Sequence, residues 1–269
     1  MDIHSVLVGC GKMGGALLSG WLKQGKSSAA ITVIEPETHA SIGRQYGVQA
    51  VSDYAQVKDA LPPHVVIFAV KPQLLDVVLP LYADQSNCQW HISIAAGKPL
   101  AYYEAYLGAV RPIIRAMPNL PATIAKGITG LCANTHVTNI QRQQTETLFR
   151  AVGECLWLQQ DEQMDVVTAI SGSGPAYLFY FIECLRTAGQ ELGLSDDIAH
   201  HLALSTVYGS ACLAQQTDLD ITDLRKAVTS PKGTTEAALN ILQSSHGLQE
   251  LVLSATKAAK IRARELSKG

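Results

Sequence analysis

The chain has 269 residues, more than the ~100 to 150 of a typical single domain, so we expect two domains or one large α/β domain. Its 47% apolar and 16% charged residues are typical of a globular protein, and its formal net charge of -2 lacks the basic excess of a nucleic-acid binder. The apolar runs are shorter than the ~20 residues of a membrane-spanning helix, and the first residues do not resemble a signal peptide. We therefore expect a cytoplasmic protein that binds neither nucleic acid nor a membrane.

The cysteines and histidines do not suggest a metal site. The six cysteines are scattered without a C-x-x-C pair, which favours buried, reduced thiols. His200 and His201 are adjacent on a predicted helix, where neighbouring side chains point about 100° apart and do not easily chelate one ion. We expect no metal.

The first half of the chain alternates short β-branched runs with amphipathic stretches, the pattern of βαβ units around a mostly parallel sheet. The predicted strands cover residues 4–9, 30–35, 65–70, 91–96, 112–117, 128–133 and 154–159. The predicted helices cover residues 13–24, 38–46, 73–83, 99–107 and 138–152. These elements predict a doubly wound, Rossmann-type dinucleotide-binding domain over residues 1–159.

After Leu158 the β-branched runs stop and Ala/Leu-rich segments follow. Helices are predicted at residues 162–171, 175–192, 196–216, 221–228, 234–243 and 247–266, which makes residues 160–269 an all-helical domain. The helix 196–216 has apolar or small residues on every side between Leu202 and Leu213. A helix without a polar face is central to a large core or buried against another chain. Because a domain of this size has little room for such a core, we predict a homodimer through this domain.

A glycine-rich turn, GCGKMG at residues 9–14, follows the first predicted strand and opens a helix. This is the context of the dinucleotide fingerprint. Gly9 permits the tight turn, Gly11 lets the backbone approach a pyrophosphate, and Gly14 permits close packing of helix on strand. The motif predicts NADH or NADPH as cofactor.

The choice between the two cofactors depends on the end of the second predicted strand. Glu35 lies there, and an acid at this position suits a ribose 2′-hydroxyl, whereas a 2′-phosphate favours a cation. Lys12 and Arg44 are the cations that could reach a 2′-phosphate, but neither position makes this contact expected from sequence. Glu35 favours acceptance of NADH, and NADPH stays open.

Three further strand ends carry tight or proline-rich turns. They are AVKPQ at 69–73, AAGK at 95–98 and IRAMPNLPA at 114–122. Ligands of open α/β sheets gather at the carboxyl ends of the strands. These turns therefore predict a cleft for a flat ligand at one edge of the sheet.

Two segments of the second domain combine helix-breaking residues with hydroxyls. In SGSGPAYLFYF, residues 171–181, a glycine-containing break precedes Pro175, which suits the first turn of a helix. In VTSPKGTTEAAL, residues 228–239, Pro231 and Gly233 end one helix and the next begins near Thr234 or Thr235. Both segments are predicted to present backbone N–H groups at a helix start, where an anion binds.

Taken together, GCGKMG, AVKPQ, IRAMPNLPA, SGSGPAY and VTSPKGTTEAAL closely resemble the pyrroline-5-carboxylate reductase family over essentially the whole chain. The resemblance implies a Rossmann domain followed by a helical dimerisation domain, with an active site where the domains of two chains meet. It also implies reduction of the cyclic imine of 1-pyrroline-5-carboxylate to proline with NADPH or NADH. Assembly of the predicted homodimer into a larger homo-oligomer stays open.

The resemblance assigns roles to individual positions. The implied cofactor residues are Gly9, Cys10, Gly11, Lys12, Met13, Gly14, Glu35, Asp53, Ala69, Val70, Lys71, Pro72, Ala96, Gly97 and Asn119. The implied substrate residues are Met117, Ser230, Gly233, Thr234 and Thr235, of which Thr235 would be the catalytic hydroxyl nearest the imine nitrogen. Asp53 departs from the asparagine of some relatives, which leaves that contact open.

Two alternatives to this function remain at this stage. A related two-domain dehydrogenase or imine reductase would use Lys71 as its acid-base group. A nucleotide-sensing dimer would bind NAD(P)H without catalysis. A further question concerns Lys232, because relatives commonly read SPGGTT where this chain reads SPKGTT. Either position 232 does not need a glycine conformation, or Lys232 adopts one at a cost of ~1 kcal/mol.

Overall fold

The computed structural model describes residues 3–57, 63–84 and 88–266. It divides into two compact units, of which one is Met1–Ser173 together with Ala259–Gly269 and the other is Gly174–Ala258. The predicted domain bounds, 1–159 and 160–269, divide the chain earlier, after the last strand, and stay a prediction. We call these the sheet unit and the helical unit.

The described part of the sheet unit holds one sheet of eight strands in the order β3-β2-β1-β4-β5-β6-β7-β8. All neighbouring strands are parallel except β6 and β7, which are antiparallel. The order 3-2-1-4-5-6 is that of dinucleotide-binding domains. The strands are β1 Ser5–Val8, β2 Ile31–Ile34, β3 Gln49–Val51, β4 Val65–Phe68, β5 Trp90–Ser93, β6 Ile113–Met117, β7 Gly127–Ala133 and β8 Gly153–Trp157.

The helices in the described residues follow the prediction closely, and the α/β fold with a helical second half is confirmed. They are α1 Lys12–Lys23, α2 His39–Tyr46, α3 Leu75–Val78, α4 Leu100–Leu107, α5 Asn139–Arg150, α6 Gln163–Val167, α7 Gly174–Glu191, α8 Asp196–Gln216, α9 Ile221–Ala227, α10 Thr234–Leu242 and α11 Leu248–Leu266.

Two local predictions were wrong. The sequence analysis missed β3, which has three residues and a half-exposed surface, so it has no long apolar run to identify it. Consequently Lys71 follows the fourth strand of the chain, not the third. The predicted helix over 73–83 is a short α3 between two 3₁₀ turns, Pro72–Leu74 and Leu79–Tyr82. Pro80 lacks the N–H that a continuous α-helix would need there.

The sheet is buried on both faces, because successive side chains of a strand point to opposite faces. On β1, Leu7 belongs to one apolar cluster with Ile67 of β4, while Val6 and Val8 belong to the other with Phe68. All four residues of β1 and of β4 are buried. The central strands therefore form a rigid base for the loops at their carboxyl ends.

A buried ion pair joins three segments of the sheet unit. Arg115 on β6 is 4% exposed, and its guanidinium donates to Asp161, which lies between β8 and α6. The other carboxylate oxygen of Asp161 accepts the N–H of Leu100, the first residue of α4, at 2.8 Å. This pair ties the end of β6 to the start of α4.

In the helical unit, α7 and α8 pack against each other, and Arg186 on α7 pairs with Asp196 at the start of α8. Large apolar side chains stay exposed on both helices in the single chain. Phe179 and Tyr180 are 50% and 67% exposed on α7, and Tyr208 is 70% exposed on α8. Apolar surface of this extent marks an interaction site. None of the described helices is long and apolar enough to cross a lipid bilayer.

Lys232 has a left-handed backbone conformation, with φ of 58°. The second of the two sequence-based possibilities therefore applies, and Lys232 adopts a conformation that favours glycine. Its N–H donates to the carboxylate of Glu236 at 2.7 Å, which holds the turn before α10 in place.

The substitution Lys232→Gly should raise the free energy of unfolding by about 0.5 to 1 kcal/mol, because glycine adopts positive φ without steric cost. Denaturant unfolding at fixed protein concentration measures the change. Lys257→Gly, in the interior of α11, is the matched control and should lower the free energy of unfolding by about 1 kcal/mol. Equal destabilisation by both substitutions would contradict the strain at Lys232.

His91 on β5 predicts an acid-dependent loss of stability. The side chain is fully buried beside Phe68, and neither ring nitrogen has a hydrogen-bond partner among the described residues. Burial, together with the charge of Arg111, lowers the pKa of His91 from 6.5 to about 4. The unfolded chain thus binds a proton that the folded chain excludes, so stability falls as the pH drops from about 6.5 towards 4.

Between pH 7 and pH 5, His91 should cost the folded state about 2 kcal/mol. In a His91→Leu variant, the difference between the free energies of unfolding at these two pH values should shrink by that amount. Urea unfolding at both pH values, at one protein concentration, measures it. An unchanged difference in the variant would show that His91 does not carry the acid sensitivity.

Candidate functional site

The turn from β1 to α1 is formed by glycines in close contact with neighbouring backbone. Gly9 has φ of 89°, and a Cβ there would lie 2.8 Å from the carbonyl oxygen of Ala69. A Cβ on Gly14 would lie 2.5 Å from the carbonyl oxygen of Gly9. Both distances exclude a side chain, as the fingerprint predicted for a tight turn and for close packing of helix on strand. The turn therefore brings the N-terminus of α1 against the end of β1.

Gly11 differs from these two glycines because it faces open space. No atom lies within 4 Å of a Cβ built on Gly11. Gly11 is also the N-cap of α1, without a side-chain hydrogen bond, so the first N–H groups of the helix, from Lys12, Met13 and Gly14, lack an intrahelical partner. An open backbone surface at a helix start fits the pyrophosphate of a dinucleotide.

Glu35 follows β2 directly, and its carboxylate binds the glycine turn. Its Oε2 accepts the backbone N–H of Cys10 at 2.8 Å. Burial of the Cys10 thiol, together with the negative charge of Glu35, raises the pKa of Cys10 to about 11. The thiol is therefore neutral and unreactive near pH 7, and the backbone of Cys10 rather than its sulfur shapes the turn.

A cavity of about 530 Å³ runs along the carboxyl ends of β1, β2, β3 and β4. It brings together the predicted cofactor residues Gly9, Gly11, Glu35, Asp53, Ala69, Val70 and Lys71. Its lining also contains residues that the sequence analysis did not single out: Glu37, Ser52, Tyr54, Leu74, Val78, Leu81 and Tyr82. The signal that could have identified Ser52 and Tyr54 was β3, which was missed.

Cys10, Lys12, Met13, Gly14, Pro72, Ala96, Gly97 and Asn119 lie outside the lining of this cavity. Of these, Ala96 and Gly97 belong to the turn after β5. Gly97 has φ of 87°, and a Cβ there would lie 3.3 Å from the Cβ of Leu266 near the end of α11. The nearest neighbour of Gly97 thus belongs to α11, and the cofactor contact of Gly97 stays a prediction.

The end of β6 carries Met117 and Asn119. The Oδ1 of Asn119 accepts the N–H of Ile128 at 2.9 Å, so this side chain fastens the start of β7. Met117 packs against Gly172, where an added Cβ would lie 2.7 Å from the Cε of Met117. The cofactor role of Asn119 and the substrate role of Met117 stay predictions.

The predicted break at SGSG is limited to Ser173, which is a bend, and α7 begins at Gly174 with Pro175 as its second residue. Residues Thr168–Gly172 form one π-helical turn between α6 and α7, and the N–H of Ser173 donates to the carbonyl of Thr168 at 2.9 Å. The helical backbone therefore continues through Gly172, and the presentation of N–H groups at the start of α7 stays a prediction. Single π-helical turns are frequent at functional sites, and this one lies against Met117.

The segment from Ser230 to Thr235 belongs to the helical unit and has the predicted form. The N–H of Gly233 donates to the carbonyl of Ser230 at 3.0 Å, and Gly233 is the N-cap of α10. A Cβ on Gly233 would lie 3.0 Å from that same carbonyl oxygen. No side chain caps α10, so the N–H groups of Thr234 and Thr235 have no intrahelical partner and suit a carboxylate.

Comparison with known proteins gives matches over both halves of the chain. A family model described as "Pyrroline-5-carboxylate reductase dimerisation" matches residues 161–266. A second, described as "NADP oxidoreductase coenzyme F420-dependent", matches residues 5–97. The two models thus cover the helical region and the first part of the sheet.

Several relatives that match over nearly the whole chain are named pyrroline-5-carboxylate reductase. Pyrroline-5-carboxylate reductase of Pseudomonas aeruginosa is 41% identical over 264 residues, which cover 97% of this chain and 95% of that protein. The solved structure of pyrroline-5-carboxylate reductase from Coxiella burnetii has a TM-score of 0.93 and 36% identity and covers 100% of both chains. That of Plasmodium falciparum pyrroline carboxylate reductase with NADP bound has a TM-score of 0.85 and 26% identity over 99% and 98%.

The glycine turn and the carboxyl-edge cavity have the geometry expected of a dinucleotide site, and the match to these relatives extends through the helical unit with its Ser230 to Thr235 turn. The chain is a member of the pyrroline-5-carboxylate reductase family.

Proposed function

We propose that this protein reduces 1-pyrroline-5-carboxylate to L-proline with NADH or NADPH, the last step of proline biosynthesis. The observation that carries the proposal is the match at 41% identity over 97% of the chain to a protein of that name. The open backbone at Gly11 and the cavity beside it support a nicotinamide dinucleotide as cofactor. The described residues include no group of three or more His, Cys, Asp or Glu side chains that could hold a metal ion.

The proposed reduction needs few acid-base groups on the protein. A protonated cyclic imine is already electrophilic at its carbon, and the bound cofactor supplies the hydride. The protein's own part is to hold the substrate at ~3 to 3.5 Å from the hydride donor and to exclude other orientations. Met117, at the end of β6 and in contact with Gly172, would form part of the apolar wall for the ring.

The start of α10 would bind the substrate carboxylate. Its unpaired N–H groups carry the partial positive charge of a helix N-terminus, and the hydroxyls of Ser230 and Thr234 add donors. Thr235 would bind the imine nitrogen through its hydroxyl and orient the ring. Helix N–H groups bind a carboxylate without burying an unpaired cation, which suits a site that also receives a cationic imine.

We infer a homodimer through the helical unit. The family model of dimerisation matches 161–266, and α7 and α8 expose large apolar side chains in the single chain. Burial of these side chains against a second copy would remove them from water and stabilise the pair. Assembly beyond the dimer and a cytoplasmic location remain predictions of the sequence.

Thr235→Ala should lower kcat by about tenfold or more, since it removes the hydroxyl that orients the imine. The loss of reduced nicotinamide absorbance in the presence of 1-pyrroline-5-carboxylate measures turnover. Thr235→Ser keeps a hydroxyl and is the matched control, with most activity retained. If the purified protein forms no proline with either cofactor, the proposed function is wrong.

The Lys71→Ala variant separates the family function from that of a related dehydrogenase. Lys71 is exposed at the rim of the cavity, so in the proposed reaction its loss should leave kcat within about threefold. Abolished turnover with unchanged cofactor affinity would favour a dehydrogenase that uses Lys71 as its acid-base group.

Gly11→Ala should weaken binding of the reduced cofactor by about tenfold or more while leaving the Tm nearly unchanged. The added methyl group meets no protein atom but occupies the open space beside the helix start. Fluorescence titration and thermal unfolding measure the two quantities. Gly15→Ala, where the nearest contact of a Cβ is an ordinary 3.9 Å, is the control and should bind normally. Equal cofactor affinity in the two variants would contradict a pyrophosphate site at Gly11.

A further inference from the structure

The rim of the carboxyl-edge cavity carries three carboxylates beside the glycine turn. Glu35 and Glu37 follow β2, and Asp53 follows β3. Because β2 and β3 are parallel neighbours, their carboxyl ends place these acids at the same end of the cavity. Among the described residues that line the cavity, Lys71 is the one cation, and it lies after β4. The end of the cavity next to β2 is therefore strongly negative.

Glu35 is held in this position by a long-range hydrogen bond. Its Oε2 accepts the N–H of Cys10 at 2.8 Å. Its negative charge contributes, after burial, to the raised pKa of the Cys10 thiol. The carboxylate therefore has no freedom to turn away from a ligand on the glycine turn without losing this bond. A charge-assisted hydrogen bond of this kind is among the stronger ones in proteins.

Asp53 is also held in place. Its Oδ1 accepts the N–H of Ala55 at 2.8 Å, as the cap of a 3₁₀ turn that begins at Tyr54. Glu37 is exposed and lies on the turn between β2 and α2. The rim thus has two anchored carboxylates and a third at its outer edge.

In dinucleotide-binding folds with the pyrophosphate on the glycine turn, the adenosine ribose lies at the end of β2, where an acid binds the 2′-hydroxyl. NADPH carries a phosphate at this 2′ position. The predicted cations for such a phosphate, Lys12 and Arg44, are not among the residues that line the cavity. A 2′-phosphate would therefore lie beside Glu35, Glu37 and Asp53, and neither Lys12 nor Arg44 would neutralise its charge.

We propose that this protein discriminates in favour of NADH over NADPH, and that Glu35 is the residue that determines the preference. The inference rests on the proposed function, because it concerns the same cofactor site. The similarity to the relatives does not supply this inference, because the Plasmodium falciparum protein was solved with NADP bound. One free oxygen of Glu35 accepts hydrogen bonds from the ribose hydroxyls of NADH, while the same charge repels a phosphate dianion.

Direct binding tests the proposal without the substrate. The intrinsic fluorescence of NADH and of NADPH is titrated with the purified protein at low ionic strength, and the two Kd values are compared. The wild-type protein should bind NADH at least about tenfold more tightly than NADPH. This ratio should decrease as salt is added, because ions screen the exposed charges of Glu37 and Asp53.

Glu35→Gln is the decisive variant. Glutamine keeps an oxygen that accepts the N–H of Cys10, so the glycine turn is preserved, but the charge is removed. The preference for NADH should fall by about tenfold, chiefly through tighter binding of NADPH. Glu154→Gln, on β8 at the opposite edge of the sheet from β2 and β3, is the matched control and should keep the wild-type ratio.

The outcomes separate this inference from the proposed function. If NADPH binds wild-type protein as tightly as NADH, or if Glu35→Gln leaves the ratio unchanged, the inference is wrong although the reductase function stands. If neither cofactor binds at millimolar concentration, the proposed function fails as well. If the ratio changes only in the double variant Glu37→Gln with Asp53→Asn, Glu35 is not the determining residue.

Discussion

The contact between the backbone of the β1–α1 turn and the neighbouring strand is the constraint on which the cofactor site depends. Gly9 and Gly14 leave no space for a side chain against Ala69 and against the Gly9 carbonyl. Only this close approach directs the first N–H groups of α1 towards the carboxyl edge of the sheet. Glu35 then fastens the same turn from the neighbouring strand through the N–H of Cys10. A larger residue at either glycine would separate α1 from the sheet.

Two further long-range contacts position the other strand ends. Asp161 joins Arg115 on β6 to the start of α4, so β6 is held to the segment that follows β5. The end of α11 lies against Gly97, in the turn after β5. Removal of one partner of a buried ion pair leaves an uncompensated charge and is strongly destabilising.

The helical unit follows a different physical principle. Its helices were predicted well from sequence, because long Ala/Leu-rich segments favour helices locally. Yet α7 and α8 leave large apolar side chains exposed in the single chain. A helix with no polar face was already evident in the sequence over Leu202 to Leu213, and such a helix is central to a large core or buried against another chain.

The sequence by itself was sufficient for the order of elements, the glycine turn, the helix start at Thr234 and the family, since these depend on neighbouring residues. It missed β3, whose three residues pair with β2 only through tertiary contact. It gave no indication of the π-helical turn Thr168–Gly172, because the packing of Gly172 against Met117 joins residues far apart in the chain.

Only the tertiary structure decided what Glu35 binds and which acids share its cavity. A hydrogen bond joins Cys10 to Glu35, and Glu35 lines the same cavity as Asp53. Both relations connect residues that are separated in sequence. The structure also decided the local conformation of Lys232. This residue has a left-handed backbone conformation that lysine disfavours, and the turn around it maintains that conformation. Local sequence specifies elements and turns, whereas distances between strand ends, and hence the charge around the cofactor, follow from how the sheet assembles.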